Sequence, residues 1–190
     1  VPSPFRHWLV MSTHHCLSRR SLTLSLLAAP FAVVLSEDEA LARPRVQRLF
    51  TITRNKNANV VCYDARLRVD GVLNPEEPVV AYWLMAAEDG RREALTWLER
   101  QLAYGVSVDG AANVSSARIR LKALDARPLS VERTADGRYA ACLRIGGKPA
   151  VLRKIHVQAD NSGITPTVQY VDVFGTTRDG AERIVERIKP

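Results

Sequence analysis

Histidine is scarce in this chain: four in 190 residues, at positions 7, 14, 15 and 156. Only His156 lies beyond residue 42, and no pair of Cys or His stands at ligand spacing. The sequence therefore offers no metal centre. No Gly-x-Ser-x-Gly elbow is present, so an α/β-hydrolase nucleophile has no seat. Neither a phosphate loop nor a dinucleotide fingerprint occurs, which leaves no nucleotide cofactor to expect. Long apolar runs are also missing. The run from residue 22 to 35 is interrupted by Pro30 and falls short of the roughly 20 residues a membrane helix needs. Neither internal repeats nor low-complexity tracts divide the chain.

What is present begins with an N-terminal segment unlike the rest. Ser18-Arg19-Arg20 precedes the apolar run, and Ala40-Leu41-Ala42 follows it. A cationic start, a short apolar core and a small-x-small site together make a secretory signal. Met11 is the better start, and residues 1–10 read as an upstream extension. The Ser-Arg-Arg-Ser-Leu order fits a twin-arginine export signal, and equally the basic start of an ordinary one. Residues 36–39, Ser-Glu-Asp-Glu, are unusually acidic for the approach to a cleavage site. The expectation is residues 1–42 removed and residues 43–190 as one exported domain, periplasmic or secreted. A domain of that length buries about 68–70% of its unfolded surface and needs no staples.

The formal charge is +7. Arg118, Arg120, Lys122, Arg138, Arg144 and Arg153 fall on presumed outward faces of strands. Such a surface is ordinarily solvated; its alternative is an anionic envelope polymer as partner. Nucleic acid is not expected, because export removes the chain from it and the strands lack interleaved aromatics.

Beyond residue 42 most of the chain alternates with period two, the strand signal. Val61, Tyr63, Ala65, Leu67 and Val69 share one face. Residues 79–86 are apolar on both faces and read as a central strand. Asp136-Gly137 and Gly146-Gly147 are hairpin turns. Ala94, Leu95, Leu98 and Leu102 repeat at helical spacing, which predicts a helix over residues 91–103 with a stripe that must bury; Asp89 or Gly90 can cap its start, and Gly105 suits the residue just past its end. The fold class is mainly β: an antiparallel barrel or barrel-like sandwich of eight to nine strands with one inserted α-helix.

The stretch from residue 49 to 65 is the most informative. Two strands flank a turn, residues 54–59, that holds Asn55, Asn57 and Asn59 with Arg54 and Lys56. Asparagine tolerates left-handed backbone angles and bonds its own backbone, so the plain reading is a well-made turn. The alternative is a binding loop. Residues 49–64, Pro78-Val79 with Tyr82-Trp83, residues 98–105 and residues 170–175 together resemble a bacterial family known only as a domain of unknown function, number four-eight-three-three. The resemblance runs from about residue 49 to 190. Asn55 departs from it, standing where that family has serine or a similar residue. An exported bacterial domain is what the resemblance implies; it carries over no activity.

Tyr63, Asp64, Tyr82, Glu99 and Tyr104 are polar residues inside apolar blocks. A tyrosine there can bury its ring and bond its hydroxyl, a structural role. Their functional reading is a ligand pocket that also uses Arg54, Asn55 and Asn57. Cys62 and Cys142 are candidate disulfide partners in an oxidising compartment, against two inert thiols. No catalytic set is complete. The leading expectation is a non-enzymatic binding or structural domain with an unknown small molecule or the anionic polymer as partner. A hydrolase or transferase built on Arg54, Asp64 and Glu99 is the alternative.

Overall fold

The computed structural model describes residues 45–160, 162 and 167–189. The predicted signal segment lies outside them. The domain is mainly β, as the alternation predicts: a curled mixed sheet that forms a half-barrel with one short helix.

Eleven strands enter the sheet. In chain order they are β1 (Arg45–Arg54), β2 (Val60–Leu67), β3 (Val79–Leu84), β4 (Arg92–Ala94) and β5 (Val106–Val108). There follow β6 (Ser116–Leu121), β7 (Leu129–Arg133), β8 (Tyr139–Ile145), β9 (Lys148–Asp160), β10 (Thr167–Thr176) and β11 (Arg183–Ile188). Nine of them run in the order β4-β3-β2-β1-β9-β8-β7-β6-β5, with β10 and β11 off that path. The two strands beyond the expected nine are β4 and β5, each only three residues long.

The long strand β9 is the hinge of this topology. Residues 148–151 pair antiparallel with β8, and residues 154–157 pair parallel with β1. Strand β10 pairs along residues 151–160 and so occupies the whole opposite edge. Strands β8 and β1 therefore follow one another along a single edge of β9. Gln47 bridges them: its amide donates to the Tyr139 carbonyl at 2.6 Å and its oxygen accepts from the Tyr139 N–H at 2.9 Å.

The concave face is filled. Phe50, Ile52, Val61, Tyr63, Ile119 and Leu152 are fully buried in one core cluster. Phe50 stacks on Tyr63 with centroids 4.5 Å apart and planes within 10°. Burial of this kind contributes on the order of 1.5–3 kcal/mol per large side chain.

The helix differs from its expected bounds. Residues 92–94 pair with residues 82–84 as β4. Asp89-Gly90 is the turn of that hairpin and not a helix cap: Gly90, at φ +74°, donates its N–H to the Met85 carbonyl at 3.0 Å. The real cap is Thr96. It forms a capping box with Glu99 and opens α1 (Trp97–Glu99), which continues as a π turn over Arg100–Tyr104. Gly105 ends it; a Cβ there would collide with the Arg100 carbonyl oxygen. The stripe does not bury as a unit. Leu95 is buried, whereas Leu98 is 47% exposed and Leu102 72% exposed. This helix spans only Trp97–Tyr104, too short to lay a long face against the sheet.

Cys62 and Cys142 are free thiols. Cys62 stands opposite Thr51 of β1 and Tyr82 of β3, and Cys142 opposite Ser130 of β7 and Val151 of β9, so the two are not cross-strand neighbours. Both side chains are buried, and burial pushes both thiols up from their ordinary pKa.

Candidate functional site

Strand alternation separates the predicted site residues into two groups. Tyr63 points into the core and its neighbour Asp64 points to the other face, because successive residues of a strand do so. Arg54, Glu99 and Tyr104 gather with Tyr63 at the helical end of the half-barrel. Tyr82 accompanies Asp64 outside. The Arg54, Asp64, Glu99 constellation is therefore not assembled.

The asparagine turn is structural. The Asn57 N–H donates to the Arg54 carbonyl at 3.1 Å, closing the turn. Asn55 adopts φ +47°. Its N–H donates to the Val157 carbonyl at 2.9 Å and its side-chain oxygen accepts from the Ala159 N–H at 2.7 Å. Asn57 and Asn59 accept from the N–H groups of Asn59 and Ala87, each at 2.9 Å. These bonds hold the end of β1 against β9 and so fix where Arg54 stands.

The helical turn is clamped from inside. The Tyr63 hydroxyl donates to the Tyr104 carbonyl at 2.9 Å. Burial raises the Tyr63 pKa well above its ordinary value, so the hydroxyl stays a donor. The Trp83 indole N–H donates to Glu99 Oε1 at 2.9 Å, and the Trp83 ring meets Tyr104 edge-on at 5.3 Å. Glu99 Oε2 accepts from the Thr96 N–H and hydroxyl at 2.8 and 2.9 Å. Both Glu99 oxygens are thus engaged in holding the helix. Burial raises the Tyr104 pKa, and the neighbouring Arg54 guanidinium opposes that rise.

Between the helical turn, β9 and β10 lies a depression of about 520 Å³. Leu102, Ala103, Ala123, Val157, Val168 and Val171 are among its walls, and Arg54, Tyr104 and Lys122 supply its polar groups. Among the described residues, no carboxylate lines it. The position of Lys122 was not expected from sequence. It continues the alternation of Arg118 and Arg120, but β6 ends at Leu121 and a 3₁₀ turn, Lys122–Leu124, begins. The Lys122 N–H donates to the Gly105 carbonyl at 3.0 Å, which brings it to the end of the helical turn.

On the convex face, Asp64 is 2% exposed. It pairs with Arg48 Nε and accepts from the Tyr82 hydroxyl at 2.7 Å. Arg48 Nη2 donates to the same hydroxyl at 3.0 Å, and the Arg92 guanidinium lies 4.7 Å from the Tyr82 ring centre. All acceptors of this cluster face protein groups. A second group on that face joins Thr53 to His156 at 3.0 Å and Asp172 to Arg187 by two bonds of 2.7 Å. His156 is a strand residue in register with Thr53 and Asp172.

Two further depressions on the convex face adjoin at Arg178, with volumes of about 450 and 640 Å³. Arg118 and Arg144 border the first, Arg48, Arg138 and Arg153 the second. Among the described residues, no group of three His, Cys, Asp or Glu side chains is placed to hold a metal ion. Among them, too, no helix is long and apolar enough to cross a membrane.

The fold and its mouth thus define a β half-barrel with a cationic, apolar-walled depression beside its helical turn. The family model described as "Domain of unknown function (DUF4833)" matches residues 50–187, and the chain belongs to that family. No curated protein and no solved structure matches it.

Proposed function

We propose that this is an exported, non-enzymatic binding domain of the bacterial envelope whose small-molecule site is the depression bordered by Arg54, Tyr104 and Lys122. The observation that carries the reading is the lining of that depression by the described residues: apolar walls, two cations, no carboxylate. Its volume falls within the few hundred to a thousand Å³ of small-molecule sites. The carboxylates that a hydrolase or transferase would draw on are engaged elsewhere. Glu99 caps the helix and Asp64 is locked to Arg48 and Tyr82. Native mass spectrometry of protein recovered from its own envelope tests the reading. A retained small molecule supports it; a bare polypeptide under gentle desolvation, from every growth condition, opposes it.

Export rests on the Arg19-Arg20, apolar run and Ala40-Leu41-Ala42 order of the sequence. N-terminal sequencing of the accumulated protein should begin near Arg43. An abundant cytoplasmic form beginning at Ser12 would refute it.

A second reading concerns the convex face. Arg118, Arg144 and Arg153 are exposed there and pair with no carboxylate among the described residues. They flank the two depressions that meet at Arg178 and suit an anionic envelope polymer. That reading calls for retention on an immobilised polyanion that weakens with salt. Charge reversal at Arg118 and Arg120 should abolish it, and retention unaffected by either change would dismiss it.

A further inference from the structure

The helical stripe leaves an unresolved surplus. Trp97, Leu98 and Leu102 lie on the helical turn, and all are more exposed than a packed helix face would leave them, Trp97 by 74%. Isolated exposed apolar residues need no explanation, but Leu102 stands at a depression whose walls are also apolar. Leu102 itself forms part of that wall, and Val168, 39% exposed, stands across it on β10.

Charge sets the other half of the site. Arg54 is half-buried and lines the depression together with Tyr104. Lys122 is exposed, yet it makes no ion pair among the described residues. Two cations next to apolar walls, with no acid among them, are poorly matched to water alone. They are well matched to a molecule with an apolar body and an anionic end. A guanidinium can take a carboxylate or a phosphate through two parallel bonds, and an ammonium adds a second charge-assisted donor.

Resting on the binding reading above, we infer that the ligand class is an amphiphile: an alkyl chain with an acidic head group. The head sits between Arg54 and Lys122. The chain lies along Val157, Val168 and Val171 beneath Leu102. A cationic amphiphile would meet like charge and an acidic group without a chain would leave the walls wet, so neither fits. Carboxylate and phosphate heads share this chemistry, and separate arms of the test distinguish them.

The test is displacement of dansyl-labelled undecanoate from residues 43–190, with dodecanoate, dodecyl phosphate, dodecanol and dodecylammonium as competitors. One or both acidic amphiphiles should displace the probe, and the tighter of the two names the head group. Dodecanol and dodecylammonium should be weaker by about tenfold or more, the loss of one charge-assisted hydrogen bond. Lys122→Glu and Leu102→Asp should each weaken the probe by a similar factor. Both positions are exposed, so both variants should keep the thermal midpoint of the parent. Arg118→Glu, on the convex face, should bind as the parent does. Equal competition by all four amphiphiles, or unchanged binding in Lys122→Glu, would overturn the inference. If no amphiphile binds while the envelope-derived protein retains a molecule of another class, the inference falls and the small-molecule reading stands. If neither binds, both fall.

Discussion

The Tyr63 hydroxyl donates to the backbone carbonyl of Tyr104 across 2.9 Å of protein interior. One bond thus couples the centre of β2 to the last residue of the helical turn. It also positions the residue that lines the depression beside Arg54. Tyr63→Phe keeps the ring and its stack on Phe50 while removing the donor. A net loss of about 1 kcal/mol is expected, somewhat more where the carbonyl stays dry. Urea unfolding should report that loss with an unchanged slope. Binding at the depression should weaken as well, since Tyr104 loses an anchor.

Leu95 and Leu98 separate packing from exposure on one short segment. Leu95 is buried in the core cluster, and Leu95→Ala should cost roughly 2–5 kcal/mol. Leu98→Glu should stay within about 0.5 kcal/mol of the parent, because the side chain already stands largely in water. Paired thermal or urea melts check both. Collapse of the Leu98→Glu variant would mean that the helical turn buries a face absent from this fold.

Asp64 distinguishes the two groups of polar residues. Asp64→Asn removes the charge that Arg48 and the Tyr82 hydroxyl share inside the convex face. Taking one partner from a largely buried pair is destabilising, though Arg48 is 41% exposed and solvent screens part of the effect. A loss on the order of 1–3 kcal/mol is expected. Ligand affinity at the depression should be untouched in the folded variant. A binding loss without a stability loss would restore Asp64 to the site.

Glu186 governs acid stability at the other end of the sheet. Arg127 donates two bonds of 2.7 Å to its carboxylate, and the Gly146 N–H adds a third of 2.8 Å. Arg127 first, then that N–H, hold the Glu186 pKa down to about 2 from an ordinary 4.5. The unfolded chain therefore takes up the proton before the folded one does. This contribution is whole above about pH 5 and is lost progressively as pH falls towards 2. Glu186→Gln should be less stable than the parent at pH 7 and should show a flatter loss between pH 5 and 2. Urea midpoints across that range check the sign. Parallel curves for the two proteins would show that Glu186 is not the group involved.

Much of the sheet was legible because period-two alternation is a local property. Val61, Tyr63 and Ala65 on one face, and Ala117, Ile119 and Leu121 on another strand, are buried as their alternation requires. Strands β4 and β5 were not legible, since three residues carry no period. The parallel pairing of β1 with β9 joins residues about a hundred positions apart and leaves no local mark. The helix was misplaced because Asp89-Gly90 serves a hairpin as well as it would serve a cap. Arg54 and Tyr104 line one depression, while Tyr63 and Glu99 hold the helical turn from inside. Asp64 and Tyr82 do not join them, and the alternation of Tyr63 and Asp64 already contained that answer. Lys122 was hidden by the reverse error, an alternation carried one residue beyond the end of its strand.

Lys122 is consequently the sharpest probe of the binding site. The parent and Lys122→Glu proteins should be expressed in the native envelope, purified under identical mild conditions and compared by native mass spectrometry. Added mass on the parent, absent or strongly reduced on Lys122→Glu at equal thermal stability, is the predicted result. Bare polypeptide in both samples, or the same added mass on both, would contradict a ligand site at the depression of Arg54, Tyr104 and Lys122.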